Sequence, residues 1–176
     1  MPHDSCNGFD LLHSTDTLQL LAERGVPLEN LPQQPETWDA IRHIEMQLLT
    51  PLRTHFGPFH ISYGFAGSAL VTAVRNRAKN EGRHPQIAPE LDQHCGFELN
   101  KRGQRICRRD GMAVDLRVPG VSSEDVALWI RDNLPFDRMY LYGKERPLHL
   151  SWAPTPVGQI WQMVKGRGGV IPRRWR

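Results

Sequence analysis

The stretch "GMAVDLRVPG", residues 111–120, determines how the rest of the sequence is interpreted. Val114, Leu116 and Val118 have the apolar character of a buried β-strand, yet Asp115 lies among them. Burying an unpaired carboxylate is strongly unfavourable, so Asp115 needs a compensating partner. The sequence leaves three such partners open: an arginine, Arg108 or Arg117, in an ion pair; a backbone turn that the carboxylate caps; or a bound metal ion.

The segments around this strand predict an α+β fold, with a small, mostly antiparallel sheet flanked by helices. Residues 36–56 have helical spacing that Pro51 interrupts, and the helix "SALVTAVRNRAKN" should turn Ala69, Val71, Val74 and Ala78 inward. A helix capped by Ser122 ends before Pro135. Strands are predicted at 59–65, 113–118, 138–143 and 148–152, with a hairpin over 97–107 that turns at Arg102-Gly103.

The bulk composition is that of a globular protein. The 176 residues, 39% hydrophobic and 23% charged, suffice for one domain with a substantial core. We divide them into an N-terminal extension (1–35), a main domain (36–164) and a basic C-terminal tail (165–176). The tail is interpreted either as a frayed, solvated terminus or as a segment that attracts a polyanion.

The cysteines and the hydropathy pattern predict a cytoplasmic protein with no membrane segment. Cys6, Cys95 and Cys107 cannot all pair with one another. No stretch approaches the ~20 apolar residues of a membrane helix, and the first ten residues do not resemble a secretory signal.

Two histidines share the unusual setting of Asp115. His149 lies in the apolar strand "PLHLSW", and His94 in the loop "PELDQHCGF". Two imidazoles and a carboxylate form the ligand set of a catalytic zinc site, and the ion would neutralise Asp115. The alternatives are that His149 is a hydrogen-bonded core residue and His94 an ordinary loop residue, or that Cys95 and Cys107 form a small metal site with His94.

A set of motifs in consistent order resembles the zinc peptidases of the D-alanyl-D-alanine carboxypeptidase and hedgehog-like group. "LLTPLRTHFG" leading into "FHISYGFAGSAL" is similar to that group's helix, strand and turn. "DQH", "GMAVDLRV" and "RPLHLSW" resemble its three ligand-bearing segments. The resemblance covers roughly residues 36–152 and implies a hedgehog-like fold with Zn²⁺ held by His94, Asp115 and His149, provided that a hairpin is inserted between the first two ligands.

The sequence departs from this group at two functional positions. Ala66 stands where the group has a substrate-binding arginine, and Arg146 stands where it has an acidic general base. Glu145 is therefore the candidate proton shuttle. Arg108 and Arg146, with Arg109 as a further candidate, would orient an anionic group of the substrate.

Two hypotheses of function follow from the resemblance and its departures. The first is a zinc-dependent metallohydrolase that cleaves a peptide or amide bond in a peptide or peptidoglycan-like substrate. The second is a catalytically degenerate module on the same fold that binds nucleic acid or an acidic protein. The basic surface would come from the predicted hairpin and the tail, whose cationic residues are Lys101, Arg102, Arg105, Arg108, Arg109, Arg173, Arg174 and Arg176.

Overall fold

The computed structural model describes residues 9–23, 30–82, 88–166 and 169–175. The helices are α1 (Phe9–Leu12), α2 (Thr15–Ala22), α3 (Pro35–Ile44), α4 (Thr50–Phe56), α5 (Ser68–Asn80) and α6 (Ser123–Asn133). A π-helical turn (Glu45–Leu49) joins α3 to α4, and short 3₁₀ turns occupy Pro89–Leu91 and Gln93–Cys95. The strands are β1 (His60–Tyr63), β2 (Met112–Arg117), β3 (Arg138–Leu141), β4 (Leu148–Trp152), β5 (Gln159–Gly166) and β6 (Gly169–Arg174).

The six strands form one open sheet in the order β1-β2-β4-β3-β5-β6. Only the β3–β5 pair is parallel, and the other neighbours run antiparallel. The predicted α+β fold with a mostly antiparallel sheet is therefore confirmed.

The sheet has one face buried under helices and one face that carries polar groups. Side chains alternate between faces along a strand, so Val114 and Leu116 point to the helices while Asp115 points the other way. The helical face forms the main core, which includes Ile44, Leu48, Leu52, Ile130, Met139 and Leu150. Asp115 thus occupies a strand with a real apolar face without entering that core.

Pro51 interrupts the long helix as predicted, and it does so through a change of helical register. Proline has no N–H to donate, so the regular i→i−4 ladder fails at this point. Just before Pro51 the helix forms one π-helical turn, in which the N–H of Thr50 donates to the carbonyl of Glu45, five residues earlier. In the same turn, Gln47 Oε1 accepts a 2.9 Å hydrogen bond from Trp152 Nε1 of β4, which ties this helix to the sheet.

One local prediction requires correction in part. Helix α5 buries Leu70 and Ala73, which were not predicted to face inward, whereas the predicted Ala69 is exposed. The predicted Val71 and Val74 are partly buried and pack against the cluster of Leu21, Ala66 and Leu70.

The hairpin predicted over 97–107 is present in a short form, in which Leu99 and Arg105 form an antiparallel bridge. The backbone pairs across it, from Ile106 N–H to the Glu98 carbonyl at 2.9 Å and from Asn100 N–H to the Gln104 carbonyl at 2.8 Å. At the turn, the Asn100 side chain also accepts from the backbone N–H groups of Arg102 and Gln104.

Both terminal segments join the fold. Leu11 and Leu12 of the predicted N-terminal extension belong to the main core. Gly169–Arg174, in the predicted basic tail, forms an edge strand on β5, which neither interpretation of the tail anticipated. Cys6 lies outside the described residues. Within the described ranges, no helix is long and apolar enough to cross a membrane.

Candidate metal centre

His94, Asp115 and His149 come together on the polar face of the sheet. Asp115 Oδ1 lies 2.9 Å from His149 Nδ1 and 3.3 Å from His94 Nε2. One potential ligand atom from each of the three residues falls within 4.8 Å of the others. The partners of Asp115 are therefore the two histidines, and neither Arg108 nor Arg117 forms an ion pair with it in the described structure.

Strand register places two of the three groups. Asp115 of β2 and His149 of β4 are directly opposite each other in the antiparallel ladder. Directly opposite residues point to the same face with Cβ atoms about 5 Å apart. The alternation that keeps Val114 and Leu116 in the core therefore presents Asp115 to His149.

His94 reaches the site from the loop before β2 and is fixed at three points. The Asp92 side chain accepts a 3.1 Å hydrogen bond from the His94 N–H, and the His94 carbonyl accepts from the Ala66 N–H at 2.9 Å. His94 Nδ1 lies 2.8 Å from the carbonyl oxygen of Gly64. A carbonyl can only accept, so Nδ1 carries the hydrogen and Nε2 is directed at Asp115.

Gly64 supports His94 at a position that tolerates no side chain. A Cβ built there would lie 2.2 Å from the carbonyl oxygen of Leu11, which is backbone and cannot rotate away. The same residue donates its N–H to Ser14 Oγ at 3.1 Å. The α1–α2 segment thus holds the carbonyl that orients the His94 ring.

The geometry fits a small divalent cation. Two ligands of a tetrahedral zinc ion, each ~2.05 Å from the metal, are ~3.3 Å apart. The 3.3 Å between Asp115 Oδ1 and His94 Nε2 matches this value. Asp115 Oδ1 and His149 Nδ1 are 2.9 Å apart, so these two atoms would move apart by about 0.4 Å to reach it. The hydrogen bond from His94 Nδ1 to a carbonyl is the outer contact that ligating histidines typically make.

Accessibility is divided unequally among the three groups. Both histidine side chains are almost fully buried, whereas 26% of the Asp115 side chain is exposed. The carboxylate is therefore the solvent-accessible member of the group.

Without a metal, the same cluster is an ion pair. Burial alone lowers the pKa of His94, but the charges of Asp115 and Asp92 outweigh burial and raise it to about 9. Burial raises the pKa of Asp115, but the positive charge of His94 and the hydrogen bond from His149 outweigh it, so the pKa lies well below the usual carboxyl value. A hydrogen-bonded core role for His149 is thus chemically self-consistent.

All three tyrosines of the chain surround the site. Tyr63 is opposite Asp115 and its ring meets the His94 ring edge-on at 4.7 Å. Tyr140 is opposite His149, with ring centroids 5.2 Å apart. Burial, then the charge of Asp115, raises the pKa of Tyr142. Sequence analysis missed these residues, although "RMYLYG" places two of them two residues apart on one face of β3 and its extension.

The row continues across the sheet beyond the triad. Tyr140 is opposite Trp161 of β5, and Trp161 is opposite Arg174 of β6. Tyr63, Asp115, His149, Tyr140, Trp161 and Arg174 therefore form one transverse line on the polar face. This line provides an aromatic surface on one side of the candidate metal ligands.

The other predicted site residues do not join the triad. Glu145 and Arg146 are exposed in the turn before β4 and line a separate cavity that includes none of the three ligands. Arg108 is exposed on the loop before β2. Arg109 approaches closest, because its Nη1 donates to Tyr140 Oη at 3.0 Å and to the Leu91 carbonyl at 3.2 Å.

The cysteine alternative gains no support from the geometry. Cys95 and Cys107 are both buried free thiols. The group of three potential ligands found among the described residues includes neither of them. Burial raises the pKa of Cys107 to about 11, so its thiol stays protonated at neutral pH.

A scan against models of known protein families, and searches of curated proteins and of solved structures, found no match to this chain.

Proposed function

We propose that this protein is a zinc-dependent hydrolase, similar to D-alanyl-D-alanine-type peptidases, that cleaves a peptide or amide bond with metal-activated water. The observation that carries the proposal is the convergence of His94, Asp115 and His149, with the His94 ring oriented by the Gly64 carbonyl. Zinc at this position would supply a Lewis acid that activates water near neutral pH and polarises a carbonyl group.

The residues around the ligands divide the remaining tasks. The two buried histidines exclude water from one side of the site, and the exposed edge of Asp115 marks the side from which substrate enters. Tyr63 and Tyr142 are neutral phenols, because burial, followed by nearby carboxylates, raises their pKa values. Neutral phenols can donate hydrogen bonds to a carbonyl oxygen that becomes negative during the reaction.

The substrate class that we propose is a peptide or a peptidoglycan-like peptide. Arg109, whose Nη1 donates to Tyr140 beside the triad, would orient an anionic group there, in preference to the exposed Arg108. Glu145 would act as the proton shuttle from the cavity at the end of β2.

One observation favours the second hypothesis, a degenerate module without turnover. Glu145, the predicted substitute for the group's general base, lines a cavity that includes none of the three ligands. For nucleic acid as the partner, the support is weaker. Arg105 pairs with Asp110 and lies over the Phe97 ring, and Arg109 is held by Tyr140, so the predicted basic hairpin does not present a single face.

A cleavage assay separates the two hypotheses. Tag-free protein loaded with zinc is incubated with a defined mixture of synthetic peptides and with peptidoglycan fragments, and new amino termini are identified by mass spectrometry. We expect cleavage that stops on chelation, resumes when zinc returns, and is absent in Asp115→Ala but retained in His55→Ala, whose histidine is exposed on α4. Zinc-loaded protein that cleaves none of these substrates would favour the degenerate module.

A cytoplasmic location is part of the same proposal. Cys95 and Cys107 are free in the fold, and unpaired buried thiols are typical of proteins from reducing compartments.

A further inference from the structure

A cavity of about 430 Å³ lies at the end of β2 and includes none of the three triad residues in its lining. Its floor is apolar and includes Val118, Val126 and Leu148, all of which are buried. Its lining also includes five exposed residues, namely His60, Arg117, Lys144, Glu145 and Arg146. The cavity therefore combines an apolar bottom with a mainly basic opening.

The two arginines of this lining are not neutralised by the protein. The positive charge of Lys144 is balanced by Glu124, because Lys144 Nζ lies 3.7 Å from Glu124 Oε2. Within the described part of the chain, neither Arg117 nor Arg146 forms an ion pair. Exposed guanidinium groups without a partner keep their full capacity for bidentate bonds to an oxyanion.

Strand geometry connects this cavity to the candidate metal centre. Arg117 follows Asp115 by two residues on β2, so both side chains leave the same face about 6–7 Å apart. His60, opposite Arg117, is held by a 3.1 Å contact between its Nε2 and Thr15 Oγ1. Val118 and Leu148 lie on the opposite, helical face, so the cavity opens at the end of the sheet, where Arg117 is its residue on the face of the triad.

We infer that this cavity binds a carboxylate attached to an apolar group, with Arg117 and Arg146 holding the carboxylate and Val118, Val126 and Leu148 contacting the apolar part. The anion site stands on its own geometry. Its meaning as the subsite that selects acidic substrates rests on the proposed hydrolase function.

Titration of metal-free protein with matched probes tests the inference. The probes are 3-phenylpropionate, its uncharged analogue 3-phenylpropanamide, and inorganic phosphate, followed by calorimetry at low ionic strength. Chelation beforehand ensures that the carboxylate cannot bind a metal at the triad. The variant is Arg117→Gln/Arg146→Gln, and the control is Lys101→Gln/Arg102→Gln, which removes the same charge from exposed positions on another loop.

We expect the wild type to bind phenylpropionate about tenfold or more tightly than the amide, as charge-assisted hydrogen bonds predict. The preference should disappear in Arg117→Gln/Arg146→Gln, persist in the control, and weaken with added salt. Equal binding of the two probes, or a preference that survives in the variant, would overturn the assignment. Phosphate that binds as tightly as phenylpropionate would also overturn it, since the apolar floor would then have no part.

The outcomes also separate this inference from the proposed function. Zinc binding should be unchanged in Arg117→Gln/Arg146→Gln, because neither residue contacts a ligand. A probe preference in a protein that binds no zinc would leave the cavity assigned and remove the hydrolase. Zinc-dependent cleavage without a probe preference would support the hydrolase and overturn the assignment of the cavity.

Discussion

Replacing Gly64 with alanine should damage both the stability of the fold and the affinity for metal. The new Cβ would lie 2.2 Å from the Leu11 carbonyl oxygen, about 1 Å inside van der Waals contact. Relief requires α1 to move, which breaks the bond from Phe65 N–H to Leu11 O at 2.7 Å and the bond from Gly64 N–H to Ser14 Oγ at 3.1 Å. Two hydrogen bonds at ~1 kcal/mol each and overpacking of ~1–3 kcal/mol give a loss of ~3–5 kcal/mol.

The same movement displaces the carbonyl that orients His94. Loss of such an outer contact typically weakens metal binding about 10–100-fold. Urea unfolding of metal-free protein measures the first effect, and competition with a chromophoric chelator measures the second. The control is Gly82→Ala, which has open space around its Cβ and should cost only about 1 kcal/mol for its positive φ, with no change in metal affinity. A Gly64→Ala protein within 1 kcal/mol of wild type and with unchanged metal affinity would refute this reasoning.

Three further predictions concern the loop that carries His94. Glu98→Ala should lower the free energy of unfolding, measured in urea, by about 2–4 kcal/mol. The reason is that Glu98 Oε1, in a buried position, accepts three hydrogen bonds from residues 33–37. The control Glu36→Ala, at an exposed position, should change the free energy of unfolding by less than about 0.5 kcal/mol. In metal-free protein the pKa of His94 is raised to about 9, so the stability that the charged ring contributes is complete below about pH 6.5 and is lost as the pH rises through 9. Thermal unfolding measured against pH should show this decline in the wild type, and the decline should be absent in His94→Gln. Cys95 and Cys107 should resist iodoacetamide in the native protein at pH 7.5, because both are buried and burial raises both pKa values; peptide mapping that finds either one labelled within minutes would contradict this.

Strong local signals made much of the fold predictable. The Ser122 cap, where the side chain accepts from Asp125 N–H, and the Pro51 interruption both follow from single-residue chemistry and both occur. The strand around Asp115 was predictable because its neighbours alternate. By contrast, α5 has small apolar residues around much of its circumference, so its buried side is decided by what packs against it, namely Leu21 of α2.

Other features depend on long-range contacts that local patterns do not contain. Strands β5 and β6 were not predicted, because residues 159–174 mix glycine, proline and basic residues and pair mainly with each other and with β3. The convergence of His94 on Asp115 depends on Gly64 and Asp92, which have no pattern that marks them. Glu145 was placed at the site by its nearness to His149 in sequence, but the turn before β4 carries it to another cavity.

The most direct test of the central claim is the metal content of protein purified without a polyhistidine tag, measured by elemental mass spectrometry for wild type, His94→Ala and His55→Ala. We predict about one zinc per chain in wild type and in His55→Ala, and none in His94→Ala. A wild-type protein without zinc, or zinc that is indifferent to His94, would contradict the account and leave Asp115 paired with His94 and hydrogen-bonded to His149.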